Sequence, residues 1–225
     1  MNAIRLLILP LGLALATLTP STGTTASDRE SDPSPSPTED TDAPFAIGQP
    51  APLKDVRMNS VSGTEVSIAQ VAGTKGTLVI FTCNHCPWVK MWQSRIATIG
   101  NAAIKRGVGV IAVNSNDPAA YAEDGFDEMK ARAKRLGFKF PYVVDATSEV
   151  ARAFGASHTP EAYLLDAQGK LVYHGGVDDN ARDEKAVKQA WLRQAVDALA
   201  SGKPVPVTET KALGCSIKYR EKGSS

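Results

Sequence analysis

The chain has 225 residues, with 25 Lys and Arg against 24 Asp and Glu, a net charge of +1. Basic residues are scattered rather than gathered in a stripe, which excludes nucleic acid as a favoured partner. Three cysteines are too few for a disulfide-dense scaffold, and no internal repeat is visible.

At the N-terminus Arg5 precedes an apolar run from Leu6 to Leu18, followed by small residues around Ala26. This reads as a secretory signal over residues 1–26. Its short apolar run and Pro10 argue against a retained membrane anchor. Residues 27–44 carry six acids against Arg29, three alternating prolines and no large apolar side chain, so they are expected to form a solvated linker. The remainder, 45–225, has the size of one domain with a full core. Export would place its cysteines outside the cytoplasm, in a periplasmic or secreted setting that permits disulfides.

Within that domain the first buried strand is read at Leu78 to Phe81, a continuous β-branched and aromatic run. Cys83, His85 and Cys86 follow in "TCNHCPW", and then Trp88, Val89, Trp92, Ile96 and Ile99 recur on one helical face. Pro87 suits the first turn of that helix. A strand-to-helix junction aims free N–H groups and the positive end of the helix dipole at Cys83, favouring its thiolate, and His85 can add positive charge beside it. Cys83 is therefore the expected nucleophile and leaving group, with Cys86 resolving the mixed disulfide.

Other uses of this spacing fit less well. Covalent haem attachment needs histidine directly after the second cysteine, where this chain has Pro87. Structural zinc would want a second ligand pair, and an inert disulfide across so short a loop would stabilise little. No cofactor is expected beyond the redox-active pair itself. Trp92 reads as core, whereas Trp88 could pack or contact substrate.

Further along, Val108 to Val113 reads as a strand, Phe126, Met129, Ala133 and Leu136 as a helix face, Tyr142 to Val144 as a strand and Ser148 to Phe154 as a short helix. Next comes "GASHTPEAYLLD". Proline directly before a buried strand is either an ordinary trans residue or part of a cis Thr159-Pro160 turn, and in the latter the Thr159 backbone could pair with an extended substrate. Ala162 to Leu165 and Leu171 to Tyr173 form a hairpin about "DAQGK", and Val187 to Leu199 mark a last long helix. His158 reads as turn packing and His174 as surface. Cys215, in "ALGCSIKY", is either an inert thiol or a third redox partner. Strands alternating with helices and ending in a hairpin imply an α/β fold with a mixed central sheet.

The CxxC between strand and helix, the later "TPE" and the hairpin resemble the thioredoxin superfamily. More narrowly, "IGQPAP", "GTEVSI", the segment from "AVNSNDP" to "EAYLLD", "GGVDD" and "GCSIKY" resemble its peroxiredoxin-like, or redoxin, branch. The resemblance implies a thioredoxin-like fold and a cis Thr159-Pro160 bond; Thr159 and Pro160 would then dock the partner, with Trp88 as a candidate substrate contact beside them. Peroxiredoxins proper carry threonine three residues before the peroxide-attacking cysteine, and Ile80 stands there. Thioredoxins carry an aspartate six residues before the first cysteine, and Thr77 stands there, so Glu161 becomes the candidate proton acceptor for Cys86. The expected activity is thiol–disulfide exchange with protein or small-molecule thiols and disulfides and with an upstream redox partner. A thiol-dependent peroxidase and a copper-binding protein are the alternatives.

Overall fold

The computed structural model describes residues 45–220. The signal and linker assigned to residues 1–44 lie outside that range. Among the described residues no helix is long and apolar enough to cross a membrane.

Nine strands and four α-helices follow in order: β1 (Met58–Ser60), β2 (Glu65–Val66), β3 (Gly76–Phe81), α1 (Pro87–Lys105), β4 (Val108–Asn114), α2 (Phe126–Leu136), β5 (Tyr142–Val144), α3 (Glu149–Phe154), β6 (His158–Thr159), β7 (Glu161–Asp166), β8 (Leu171–Gly175), α4 (Trp191–Ala200) and β9 (Cys215–Ser216). Seven strands make a mixed sheet in the order β2-β1-β5-β4-β3-β7-β8, while β6 and β9 pair separately. The α/β architecture with a mixed central sheet is thus as the sequence implied.

β3 is central because all six of its residues are buried, a pattern that only a strand covered on both faces can satisfy. It runs parallel to β4 and antiparallel to β7. Alternate residues then feed two cores. Leu78, Ile80, Val110 and Ala112 face Trp92, Ile96 and Ile99 of α1, Met129 of α2, and Leu192 and Val196 of α4. Val79, Phe81, Ile111 and Val113 face Val150 and Phe154 of α3 together with Ile217 near the C-terminus. Each fully buried aliphatic side chain contributes about 1.5–3 kcal/mol, so this double layer holds β3, and whatever follows it, in a fixed place. Gly109 interrupts the β-branched run of β4 for a steric reason: a Cβ there would lie 1.8 Å from the Val71 carbonyl oxygen.

Two helical readings are corrected. The last helix begins at Trp191, not Val187, because the backbone just before it pairs elsewhere: Asp179 N–H donates to Gln189 O and Leu192 N–H to Val177 O. In α2 the buried residues are Met129 and Arg132, while Phe126 is exposed. The hairpin closes as read, with Asp166 Oδ1 accepting from the N–H groups of Gln168 and Lys170. The short strands β1, β2, β6 and β9 were not anticipated as strands, being too brief to show a period.

Candidate active site

The antiparallel register of β3 and β7 pairs Phe81 with Glu161. The chain leaving the C-terminal end of β3 therefore meets the chain entering β7, and the CxxC segment lies against the turn at Thr159 and Pro160. The Thr159-Pro160 peptide bond is cis. Cys83 Sγ lies 3.1 Å from Thr159 Oγ1, and the Cys86 thiol group lies 3.2 Å from the Thr159 carbonyl oxygen. Both sulfurs are 0% exposed.

The helix begins where the sequence reading placed it, with Pro87 in its first turn and Cys86 as N-cap, and its start bears on both sulfurs, through the Cys86 N–H at Cys83 and the Val89 N–H at Cys86. A hydrogen bond from Cys83 is the largest influence on Cys86; burial opposes ionisation, but contacts from Cys215 and from the Val89 N–H add to the lowering, and the Cys86 pKa falls to about 4. Cys83 is pushed well above the ordinary thiol range by its bond to Cys86, by burial and by the charge of Asp124. The reduced pair therefore shares one proton, and one of its two sulfurs ionises well below the ordinary thiol range.

His85 does not stand as a free cation beside Cys83. Its Nδ1 lies 2.5 Å from Asp124 Oδ2, and its ring stacks on Tyr121 at 3.9 Å between centroids. Asp124 Oδ1 also accepts the backbone N–H groups of Asn84 and His85, at 2.5 and 3.2 Å. Asp124 is fully buried and belongs to the segment between β4 and α2. It was missed from the sequence, where four neighbouring acids, Glu123, Asp124, Asp127 and Glu128, look alike. Asn84 is fixed from two further sides, its side-chain oxygen accepting from Tyr142 Oη at 3.1 Å and its carbonyl from Arg132 at 2.7 Å. The whole CxxC loop is thereby held rigid.

Cys83, His85 and Asp124 bring ligand atoms within 4.8 Å of one another. As a metal site they fit poorly. Both Asp124 oxygens are already committed, Cys86 is not one of the three, and a soft ion would have to displace the His85–Asp124 bond.

Glu161, the candidate proton acceptor for Cys86, makes its hydrogen bonds elsewhere. Its Oε2 accepts the N–H groups of Ser157 and His158, each at 2.8 Å, and its Oε1 accepts from Tyr163 Oη at 3.1 Å and contacts His174 Nε2 at 2.7 Å. None of these bonds reaches a sulfur. Burial alone would raise its pKa, but the bond with His174 and the two N–H groups outweigh burial and leave it lowered. Glu161 is thus an anchor for the turn before β7. His174, read as a surface residue, is its partner and stacks on Tyr163 at 4.4 Å. His158 sits in the turn as read, its Nδ1 2.8 Å from Ser157 Oγ.

Trp88 is half-buried, stacks on Trp92 and packs against Cys83, Cys86 and Val89. Trp92 is core, and its Nε1–H donates to Asp178 Oδ1 at 2.7 Å. The Thr159 backbone, expected to be open for a substrate strand, is already paired: β9 lies antiparallel to β6, with Thr159 opposite Cys215. Gly214 permits this approach, since a Cβ there would meet the Thr159 carbonyl oxygen at 2.1 Å. Cys215, left open between two roles by the sequence, therefore belongs to the site.

Comparison with known proteins places this geometry. A model of the AhpC/TSA family matches residues 47–174. The crystal structure of an uncharacterized conserved protein from Geobacillus kaustophilus is 39% identical, with a TM-score of 0.73, over 80% of this chain and 95% of that one. The thiol-disulfide oxidoreductase ResA of Geobacillus thermodenitrificans is 29% identical over 129 residues, 56% of this chain and 67% of that protein. A thioredoxin-like protein solved in its oxidized form superposes with a TM-score of 0.54 at 20% identity, over 69% of this chain and 97% of that one, which shows the shared fold.

Proposed function

The chain belongs to the AhpC/TSA family and has a thioredoxin-like fold, and from that premise we propose that it is an exported thiol–disulfide oxidoreductase working through Cys83 and Cys86. One observation carries the reading: two buried cysteines that share one proton meet at the start of α1, beside the cis Thr159-Pro160 turn. A thiolate beside a thiol is the reduced half of a redox couple. The ResA relatives support the same chemistry by their names.

In the reduced state the pair shares one proton. Exchange with a partner disulfide ends when the Cys83 sulfur bonds to Cys86 and expels the partner's sulfur as a thiolate. A ring nitrogen of His85, held by Asp124, lies within 4.8 Å of the Cys83 sulfur, where it can assist the transfer of the Cys83 proton to the departing sulfur. The apolar run from Leu6 to Leu18 supports export, and the clients would be thiols and disulfides of an oxidising compartment. Ile80, in the place of the peroxidase threonine, weighs against peroxide as the main substrate.

The test is reduction of a protein disulfide such as insulin by the reduced chain. Turnover is expected from the wild type, and Cys83→Ser and Cys86→Ser should each fall to background. Turnover that survives both replacements, or rapid peroxide consumption that survives either Cys83→Ser or Cys86→Ser, would overturn the reading.

A further inference from the structure

The pair has an access problem, because neither sulfur is exposed and the strand edge beside them is occupied by β9. Cys215 is the one cysteine of the three with solvent exposure, and it packs directly against the cluster of Cys83, Cys86 and Val89. It faces Thr159, the position where an incoming strand would have to present its own sulfur. Building on the oxidoreductase reading, we propose that Cys215 is a third catalytic cysteine, through which external small-molecule thiols and disulfides exchange with the buried Cys86 and Cys83.

Position supports this first. The segment carrying Cys215 is stitched down on its far side: Ile217 N–H donates to Ser157 O at 2.9 Å, Lys218 N–H to Asn116 Oδ1 at 2.7 Å, Asp117 N–H to Lys218 O at 2.7 Å, and Arg220 N–H to Ser148 Oγ at 3.0 Å. Ile217 is buried in the core. On the near side Gly214 presses on the Thr159 backbone. A sulfur held from both sides against Cys86 is pre-oriented for exchange, which removes the entropic cost of finding its partner.

Charge supports it second. Burial, first, and the neighbouring Cys86 raise the Cys215 pKa to about 11, while Cys215 contributes to the lowering of Cys86. Cys86 is thus the more acidic neighbour through which the Cys215 proton can pass as Cys215 attacks.

The electrons balance without any further reagent. The Cys215 sulfur attacks one sulfur of an external disulfide, its proton passing by way of Cys86 to the departing thiolate. The Cys86 thiolate then attacks the Cys215 sulfur, forming Cys86–Cys215 and expelling the second external thiolate. Finally the Cys83 sulfur attacks Cys86, forming Cys83–Cys86, and its proton passes to the departing Cys215 sulfur, which returns as a thiol. One external disulfide becomes one thiol and one thiolate, and the singly protonated dithiol becomes a disulfide. A partner with more reducing thiols drives the same steps backward.

The intermediate Cys86–Cys215 disulfide is the signature. Reduced full-length Cys83→Ser is treated with oxidised glutathione and mapped by non-reducing peptide mass spectrometry. The expected product links Cys86 to Cys215 with glutathione released; a lasting glutathione adduct on Cys215 with Cys86 free, or an adduct on Cys86 with Cys215 untouched, would overturn the relay. In parallel, formation of the Cys83–Cys86 disulfide by oxidised glutathione is timed in the wild type and in Cys215→Ser. The serine variant should be slower by roughly tenfold or more, since the buried pair has lost its accessible sulfur. A merely loosened strap would expose the pair and change the rate in the opposite direction. Equal or faster oxidation of Cys215→Ser overturns the relay and leaves the oxidoreductase reading standing, whereas failure of the pair to oxidise in either protein removes both.

Discussion

Asp124 closes on His85 through a 2.5 Å Nδ1–Oδ2 contact while its second oxygen takes the N–H groups of Asn84 and His85. One buried carboxylate therefore fixes both the backbone and the imidazole of the CxxC loop. Replacing Asp124 by alanine strands two buried N–H groups and should cost roughly 2–4 kcal/mol of stability, measured by urea denaturation. Exchange should also slow, because His85 loses its orientation. A variant with unchanged stability would mean that water replaces the carboxylate.

The single shared charge has a consequence for the redox couple. Between pH 4 and 9 the reduced pair keeps one proton, since Cys86 ionises near about 4 and Cys83 stays protonated beyond the ordinary thiol value of 9.0. Reduction thus takes up two electrons and one proton. The potential should fall by ~30 mV per pH unit across this range, and twice as steeply below pH 4, where Cys86 also binds its proton. Titration against glutathione at several pH values reads the slope; the steeper value at neutral pH would show two protonated thiols.

Glu161 is expected to matter for stability in acid rather than for exchange. Its pKa is lowered in the fold, so its contribution is complete above the ordinary value of 4.5 and is lost as pH falls through the folded value. Glu161→Gln should therefore flatten the acid limb of the stability curve, read by thermal melts from pH 3 to 7. Insulin reduction should persist in this variant, and its loss would restore Glu161 as a proton acceptor.

Beneath α1, Arg95 donates to Asp178 Oδ2 at 2.5 Å and to the carbonyls of Asn180 and Ala181, tying the loop after β8 to the helix. Both side chains are buried. Arg95→Leu leaves Asp178 uncompensated and should cost about 3–5 kcal/mol, whereas Arg95→Leu combined with Asp178→Leu should recover much of that loss. Urea denaturation of the double-mutant cycle measures the coupling; equal losses in the single and double variants would mean the pair contributes only packing.

What the sequence determined by itself was local. The buried strands, helix α1 and the hairpin at Asp166 to Lys170 are written in apolar period and turn chemistry, which neighbouring residues settle among themselves. The cysteine pair and its place after β3 were legible for the same reason. Only the tertiary structure decided how the CxxC loop is held, because Asp124 arrives from the segment after β4 to bond Asn84 and His85. It also decided the fate of Cys215, 129 residues beyond Cys86 in the chain. β9 spans two residues, too short for any periodic signal, and its partner is fixed by the Gly214 approach to Thr159 and by the burial of Ile217. Contacts of that kind are enforced by the close packing of distant segments, and no window of sequence contains both partners.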